Sequence, residues 1–168
     1  MGKFKPYLTS YQILKLIGIS RFLSKIPLGI GKVLSILVDN CLLHFYGLEV
    51  VSSSLNIDNL VIGHSTGVVL GGNGIKCSGT LHVSSGVVFA RRYKTKLNKP
   101  YSVKEFDSFF DIEGDLTVGA NSVILGPIKI IGPTTIGAMS LVTSDILEPG
   151  IYVGSPAKKL DILKKDVG

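Results

Sequence analysis

Two periods divide the chain. From residue 7 to residue 46, apolar side chains recur at helical spacing, as at Ile13, Leu14 and Ile17 and again at Val33, Leu34, Leu37 and Val38, with Pro27 and two glycines between the sets. This pattern predicts two helices joined by a turn. From about residue 50 the step changes to six. Ile112, Val118, Ile124, Ile130, Ile136 and Val142 form an unbroken ladder of β-branched aliphatics. Ile75, Leu81 and Val87 repeat that step, and Val50, Asn56, Ile62 and Val68 follow it with a polar lapse at Asn56 and one extra residue before Ile75.

A six-residue unit is too short for a strand plus its own hairpin, but it suits one side of a triangular coil. The aliphatic residue points inward, and a small or hydroxylated residue four positions on, such as Thr66, Ser85, Ser122, Thr134 or Ser140, fits the corner. Three such units make a coil of about eighteen residues, and stacked coils make a parallel β-helix whose axis is the ladder. Each coil buries its faces only against its neighbours, so the ends need caps. The N-terminal helices and the C-terminal "KKLDILKKDVG" are the candidates. The predicted fold is mainly β, with a helical segment at 1–46, a coiled β region at 47–154 and a tail at 155–168.

The ladder stops between Val87 and Ile112. There "ARRYKTKLNKPYSVKEFDSFFD" is basic at its start and carries Tyr93, Tyr101, Phe106, Phe109 and Phe110. The expectation is a loop over 91–111, ejected from one corner and, being rich in aromatics, resting on a surface.

Composition narrows the function without choosing it. Eighteen Lys and Arg against twelve Asp and Glu give a net charge of +6, compatible with phosphate-bearing ligands, anionic surfaces or nucleic acid. No nucleic-acid-binding module accompanies the charge, so nucleic acid is not expected as a partner. Cys41 and Cys77 match no metal or redox spacing and read as reduced thiols of a cytoplasmic protein. The first residues lack the pattern of a signal peptide, and the most apolar run is interrupted by Lys32, Asp39 and His44, which argues against a spanning helix.

The ladder, the segment "GANSVILGPIKIIGPTTIGAMSLVTSDI" and the terminal "VGSPAKKL" together resemble the hexapeptide-repeat acyltransferases, in the branch that holds serine acetyltransferases and polysaccharide or lipopolysaccharide O-acetyltransferases. The resemblance covers roughly residues 47 to 160. It implies a left-handed parallel β-helix, a homotrimer, and acetyl-CoA as cosubstrate bound in the groove between neighbouring helices.

In "VIGHSTGVVLGG" the resemblance makes His64 the catalytic base, and "GLEV" places Glu49 fifteen residues earlier, where the family carries an acid that pairs with that histidine. The chemistry is coherent. A neutral imidazole can take the proton of an attacking alcohol, and a carboxylate on its other nitrogen fixes the tautomer. The resemblance further implies that Lys158 and Lys159, with Pro156 and Ala138, contact the cofactor. His82, one coil beyond His64, is a substrate-facing or structural residue, and Arg91, Arg92 and Tyr93 are candidates for binding the acceptor, with the CoA phosphate or plain solvent as alternatives for the basic run. The other reading of His64 is a solvated corner residue, and that of Glu49 a surface carboxylate.

A related β-helix, that of the γ-type carbonic anhydrases, binds zinc through three histidines. Here the histidines are His44, His64 and His82, and His44 falls in the helical region, so no metal is expected. The segment in which serine acetyltransferases carry a second histidine reads "FDSFFDIEG", and their N-terminal helical domain is much longer. These departures favour a saccharide hydroxyl as acceptor, in a capsule, O-antigen or exopolysaccharide unit, over serine. The alternatives are serine O-acetylation and a non-catalytic scaffold or saccharide-binding module. The N-terminal helices are expected to pack on the β-helix of their own or a neighbouring subunit, with contact to the inner face of the membrane as the alternative.

Overall fold

The structure, a computed structural model, describes residues 7–27, 29–71, 74–91 and 110–161. Two antiparallel helices, α1 (Tyr7–Leu23) and α2 (Ile30–Tyr46), lead into a parallel β-solenoid. Its first coil holds β1 (Leu48–Val50) and β2 (Leu55–Ile62), the second β3 (Val68–Leu70) and β4 (Ile75–Val83). The third is β5 (Val88–Arg91), β6 (Phe110–Glu113) and β7 (Leu116–Val118); the fourth is β8 (Val123–Gly126), β9 (Ile128–Ile131) and β10 (Thr134–Ile136). A shorter last coil contributes β11 (Leu141–Val142) and β12 (Gly150–Val153), and β13 (Lys158–Lys159) folds back antiparallel on β12.

The pairing resolves into three faces. Face one stacks β1, β3, β5, β8 and β11. β2 and β4 are long enough to turn a corner: their first halves pair on face two with β6 and β9, and their second halves pair on face three with β7, β10 and β12. The register slips between Ile57 and Asn59, where β2 takes that corner. Between the third and fourth coils the offset is eighteen residues, as Ile112 against Ile130 and Leu116 against Thr134.

All six rungs from Ile112 to Val142 are at most 2% exposed, as are Ile75, Leu81 and Val87. Burying each contributes about 2 kcal/mol. In β7 the alternation is strict, Leu116 and Val118 in and Thr117 out. The lapse at Asn56 is real: Asn56 faces solvent and Leu55 takes the inward place, because the longer first coil shifts the phase of the repeat.

A column of left-handed residues marks the edge between face three and face one. Gly47 (φ 63), Gly67 (φ 71), Gly86 (φ 67), Asn121 (φ 56) and Met139 (φ 58) turn the chain into successive face-one strands. Two of the hydroxyl residues, Ser122 and Ser140, seal this edge. Ser122 Oγ donates to Gly137 O at 2.8 Å and accepts from Ser140 N at 3.2 Å.

Of the predicted loop, Arg91 closes β5 and Phe110 and Asp111 open β6; the remainder, 92–109, lies outside the described residues. Phe110 is fully buried and meets Phe89 edge to face, with ring centroids 5.1 Å apart. It belongs to the core because a β6 side chain at that position points down the axis, which removes it as a stacking surface for a ligand.

The helices pack on their own solenoid. Ile13, Ile17 and Leu42 join the same core as Leu48, and Ser10 Oγ donates to Ile62 O at 2.7 Å. Asp39, which in sequence only interrupts an apolar run, ties three elements together. Its Oδ1 accepts from Ser20 Oγ of α1 at 2.8 Å and from Ser52 Oγ at 2.5 Å, and its Oδ2 accepts from Ser52 N at 3.1 Å. α1 and α2 approach so closely that a Cβ on Gly31 would run into the Leu23 carbonyl oxygen.

Candidate functional site

His64 sits in the turn between β2 and β3, on the edge where face three passes into face one. The turn is pinned from below by α2. Ser65 Oγ donates to Tyr46 O at 2.7 Å, and Gly67 N donates to Gly47 O at 2.9 Å. From above, Gly63 N donates to Val83 O at 2.9 Å and Gly86 N to Thr66 O at 3.0 Å. The imidazole itself is exposed and makes no hydrogen bond among the described residues. A rigid turn thus carries a ring with both nitrogens open to a ligand.

Glu49 lies on the outer side of β1, exposed, and pairs with Val69 across face one. No hydrogen bond joins it to His64. The two residues are on adjacent levels, as fifteen residues of separation requires, but Glu49 is on the face into which the His64 turn leads rather than beside the ring.

His82 is half-buried on the outer side of β4, flanked on face three by Val61 and Thr117. Its Nε2 is 3.5 Å from where a Cβ on Gly63 would stand. A Cβ there would make only ordinary van der Waals contact with the ring, which places His82 beside the turn that carries His64. His44 is elsewhere: its Nδ1 bonds Asn40 O at 2.9 Å within α2. Among the described residues no three His, Cys, Asp or Glu side chains gather as a metal site would need.

Ala138 is exposed on the same edge as His64, three coils further along, or about 14 Å at one strand spacing per coil. It follows Gly137 and precedes the left-handed Met139. Pro156 lies at the end of that edge, where Leu141 N donates to Gly154 O at 2.9 Å and Ala157 N to Leu141 O at 2.7 Å. The two lysines beyond it differ. Lys159 Nζ bonds Glu148 Oε2 at 2.9 Å, which raises the lysine and holds the Glu148 carboxyl below its ordinary range. Lys158 is exposed, with no ion pair among the described residues.

Arg91 is on a different edge, where face one gives way to face two. It has interactions of its own. Arg92 and Tyr93 lie outside the described residues, as do the other aromatics of the loop except Phe110. His64, Ala138, Pro156 and Lys158 therefore share one side of the solenoid, and Arg91 does not.

Comparison with solved structures follows this geometry. Soybean serine acetyltransferase complexed with serine superposes with a TM-score of 0.68 over 91% of this chain, at 19% identity. Serine acetyltransferase from Brucella abortus in complex with coenzyme A gives 0.70 over 92% at 18% identity. The fold is that of the serine acetyltransferases. The enzyme from Neisseria gonorrhoeae, in complex with serine, gives 0.56 over 91% at 22% identity. This chain spans 58% of the soybean chain and 56% of the Brucella chain. No protein-family model and no curated protein sequence matches it.

Proposed function

We propose that the chain is an acetyl-CoA-dependent O-acetyltransferase in which His64 is the general base. The observation that carries this reading is the placement of His64: a ring with both nitrogens open, on a turn fixed by four hydrogen bonds, along the same edge as Ala138, Pro156 and Lys158. A CoA laid along that edge has Lys158 as a point charge for phosphate and its thioester directed toward the imidazole. His64 takes the acceptor's hydroxyl proton as the oxygen attacks the thioester carbonyl, a tetrahedral intermediate forms, and the imidazolium returns the proton to the departing CoA thiolate. Glu49 is the acid that the resemblance assigns to orienting the ring, although it stands on the neighbouring face with no hydrogen bond to His64.

The acceptor has two readings. Serine is favoured by the solved structures, two of which were determined with serine bound. A saccharide hydroxyl is favoured by the lack of a histidine in "FDSFFDIEG". His82, which lies beside the His64 turn, would face the acceptor in either case.

Arg91 lies on a different edge than His64, so a site that holds both would be built between subunits. This supports the homotrimer that the sequence resemblance implies, with the Arg91 edge of one subunit against the His64 edge of the next. Release of CoA thiol on mixing acetyl-CoA with serine, and separately with nucleotide sugars and polysaccharide repeat units, tests the activity and chooses the acceptor. Absence of CoA binding at millimolar acetyl-CoA would leave the scaffold reading in its place.

A further inference from the structure

The outward side of the helical hairpin has no partner among the described residues. α2 buries Gly31, Ser35 and Leu42 inward, yet its remaining sides expose Ile30, Val33, Ile36, Leu37, Leu43 and Phe45, the last at 80%. A helix apolar on every side is one that buries every side. α1 extends the patch with Ile19 and Phe22, the latter at 69%, and the turn after it adds Ile26. An apolar surface of this extent marks a docking face.

Charge selects the occupant. Lys15, Arg21, Lys25 and Lys32 are exposed on the hairpin, and none is in an ion pair among the described residues. Lys15 extends over the Tyr11 ring, its Nζ 4.5 Å from the centroid. Asp39, the carboxylate of these two helices, is turned inward onto Ser20 and Ser52 and answers none of these cations. A second copy of the chain would set unanswered cations near one another at an interface, where lysine is depleted. Anionic headgroups answer each cation while the apolar tips enter the acyl boundary and the lysine stems reach back to the surface.

We propose that the α1–α2 hairpin docks the protein on an anionic lipid bilayer, lying in the plane of its surface. No helix among the described residues is long and apolar enough to cross a membrane, in keeping with surface docking. The proposal is independent of the acyl-transfer reading, although docking and the site are linked through Ser65 and Tyr46, which join the His64 turn to the end of α2.

Flotation of the full chain with vesicles tests it. The chain should float with mixed phosphatidylglycerol and phosphatidylcholine vesicles, far less with phosphatidylcholine alone, and be released by salt. The exposed-cation variant Lys15→Gln/Arg21→Gln/Lys25→Gln/Lys32→Gln should bind the mixed vesicles about tenfold or more weakly. Phe22→Ser/Val33→Ser/Leu37→Ser should lose binding as well, with circular dichroism spectra unchanged in both variants. Failure to float with anionic vesicles, or equal flotation with both lipids, overturns the proposal. A wild-type chain that does not float, but whose oligomer the apolar triple variant dissociates in sedimentation, assigns the face to a second copy instead.

Discussion

Ser65 donates its hydroxyl to the carbonyl of Tyr46 at 2.7 Å, and by that bond the turn carrying His64 rests on the C-terminal end of α2. The relationship explains why a helical hairpin precedes the solenoid. The first coil has no coil below it, and α2 supplies the missing partner for the turn. Ser65→Ala should cost about 1 kcal/mol of stability. If the turn positions the base, kcat for acetyl transfer should also fall about tenfold, with KM for acetyl-CoA unchanged. Urea denaturation and steady-state kinetics separate the two effects.

Asp39 is the other link between helices and coil. Removing its carboxylate strips a partner from Ser20 Oγ, Ser52 Oγ and Ser52 N at once. Asp39→Ala should destabilise the protein by about 3 kcal/mol, several times the effect of a typical exposed substitution. The shift in urea midpoint at constant m measures it.

Gly31 tests the packing of the hairpin. A methyl there would meet the Leu23 carbonyl, a backbone atom that cannot swing aside. Gly31→Ala raises helix propensity, yet it should destabilise by about 1–3 kcal/mol because the helices must part. A gain in thermal midpoint would show that the approach is looser than described.

The two terminal lysines should behave differently. Lys158→Ala should raise KM for acetyl-CoA severalfold, since its ammonium has no competing ion pair among the described residues. Lys159→Ala should instead loosen β13, because its partner is Glu148. Since the Glu148 carboxyl is held below its ordinary value, the tether is complete above the ordinary carboxylate range and is lost as pH falls through the lowered value. Hydrogen exchange of the Leu160 amide, bonded to Ile151 O at 2.7 Å, should be faster in Lys159→Ala than in wild type near neutral pH, and the difference should vanish in acid.

The thiols offer a check on the core. Cys77 is buried, and desolvation raises its thiol above the ordinary range, while Cys41 is exposed on α2. A thiol reagent should modify Cys41 promptly and Cys77 only on unfolding.

The solenoid was legible because its rule is simple: an inward aliphatic every six residues, from Ile112 to Val142, all of them buried. The rule fails where the coil is longer. Asn56 breaks the count because β2 bends around a corner, and a fixed step cannot register a bend. Phe110 was read with the loop, since an aromatic beside a basic run looks like a contact surface; its partner Phe89 is twenty-one residues away and outside any local pattern. Asp39 carried no local signal at all, because Ser20 and Ser52 lie nineteen and thirteen residues from it. At the site, His64, Ala138 and Pro156 were named through the family resemblance, and the structure sets them along one edge of the solenoid. The alignment of Glu49 was not, because spacing fixes its level in the stack and leaves its face open.

His64→Ala bears most directly on the proposed chemistry, since the exposed ring supports no part of the fold. The variant should keep the wild-type thermal midpoint and bind CoA with unchanged affinity by calorimetry, while acetyl transfer to whichever acceptor wild type uses falls by at least about a hundredfold. Transfer at the wild-type rate in that variant would contradict the assignment of His64 as the base.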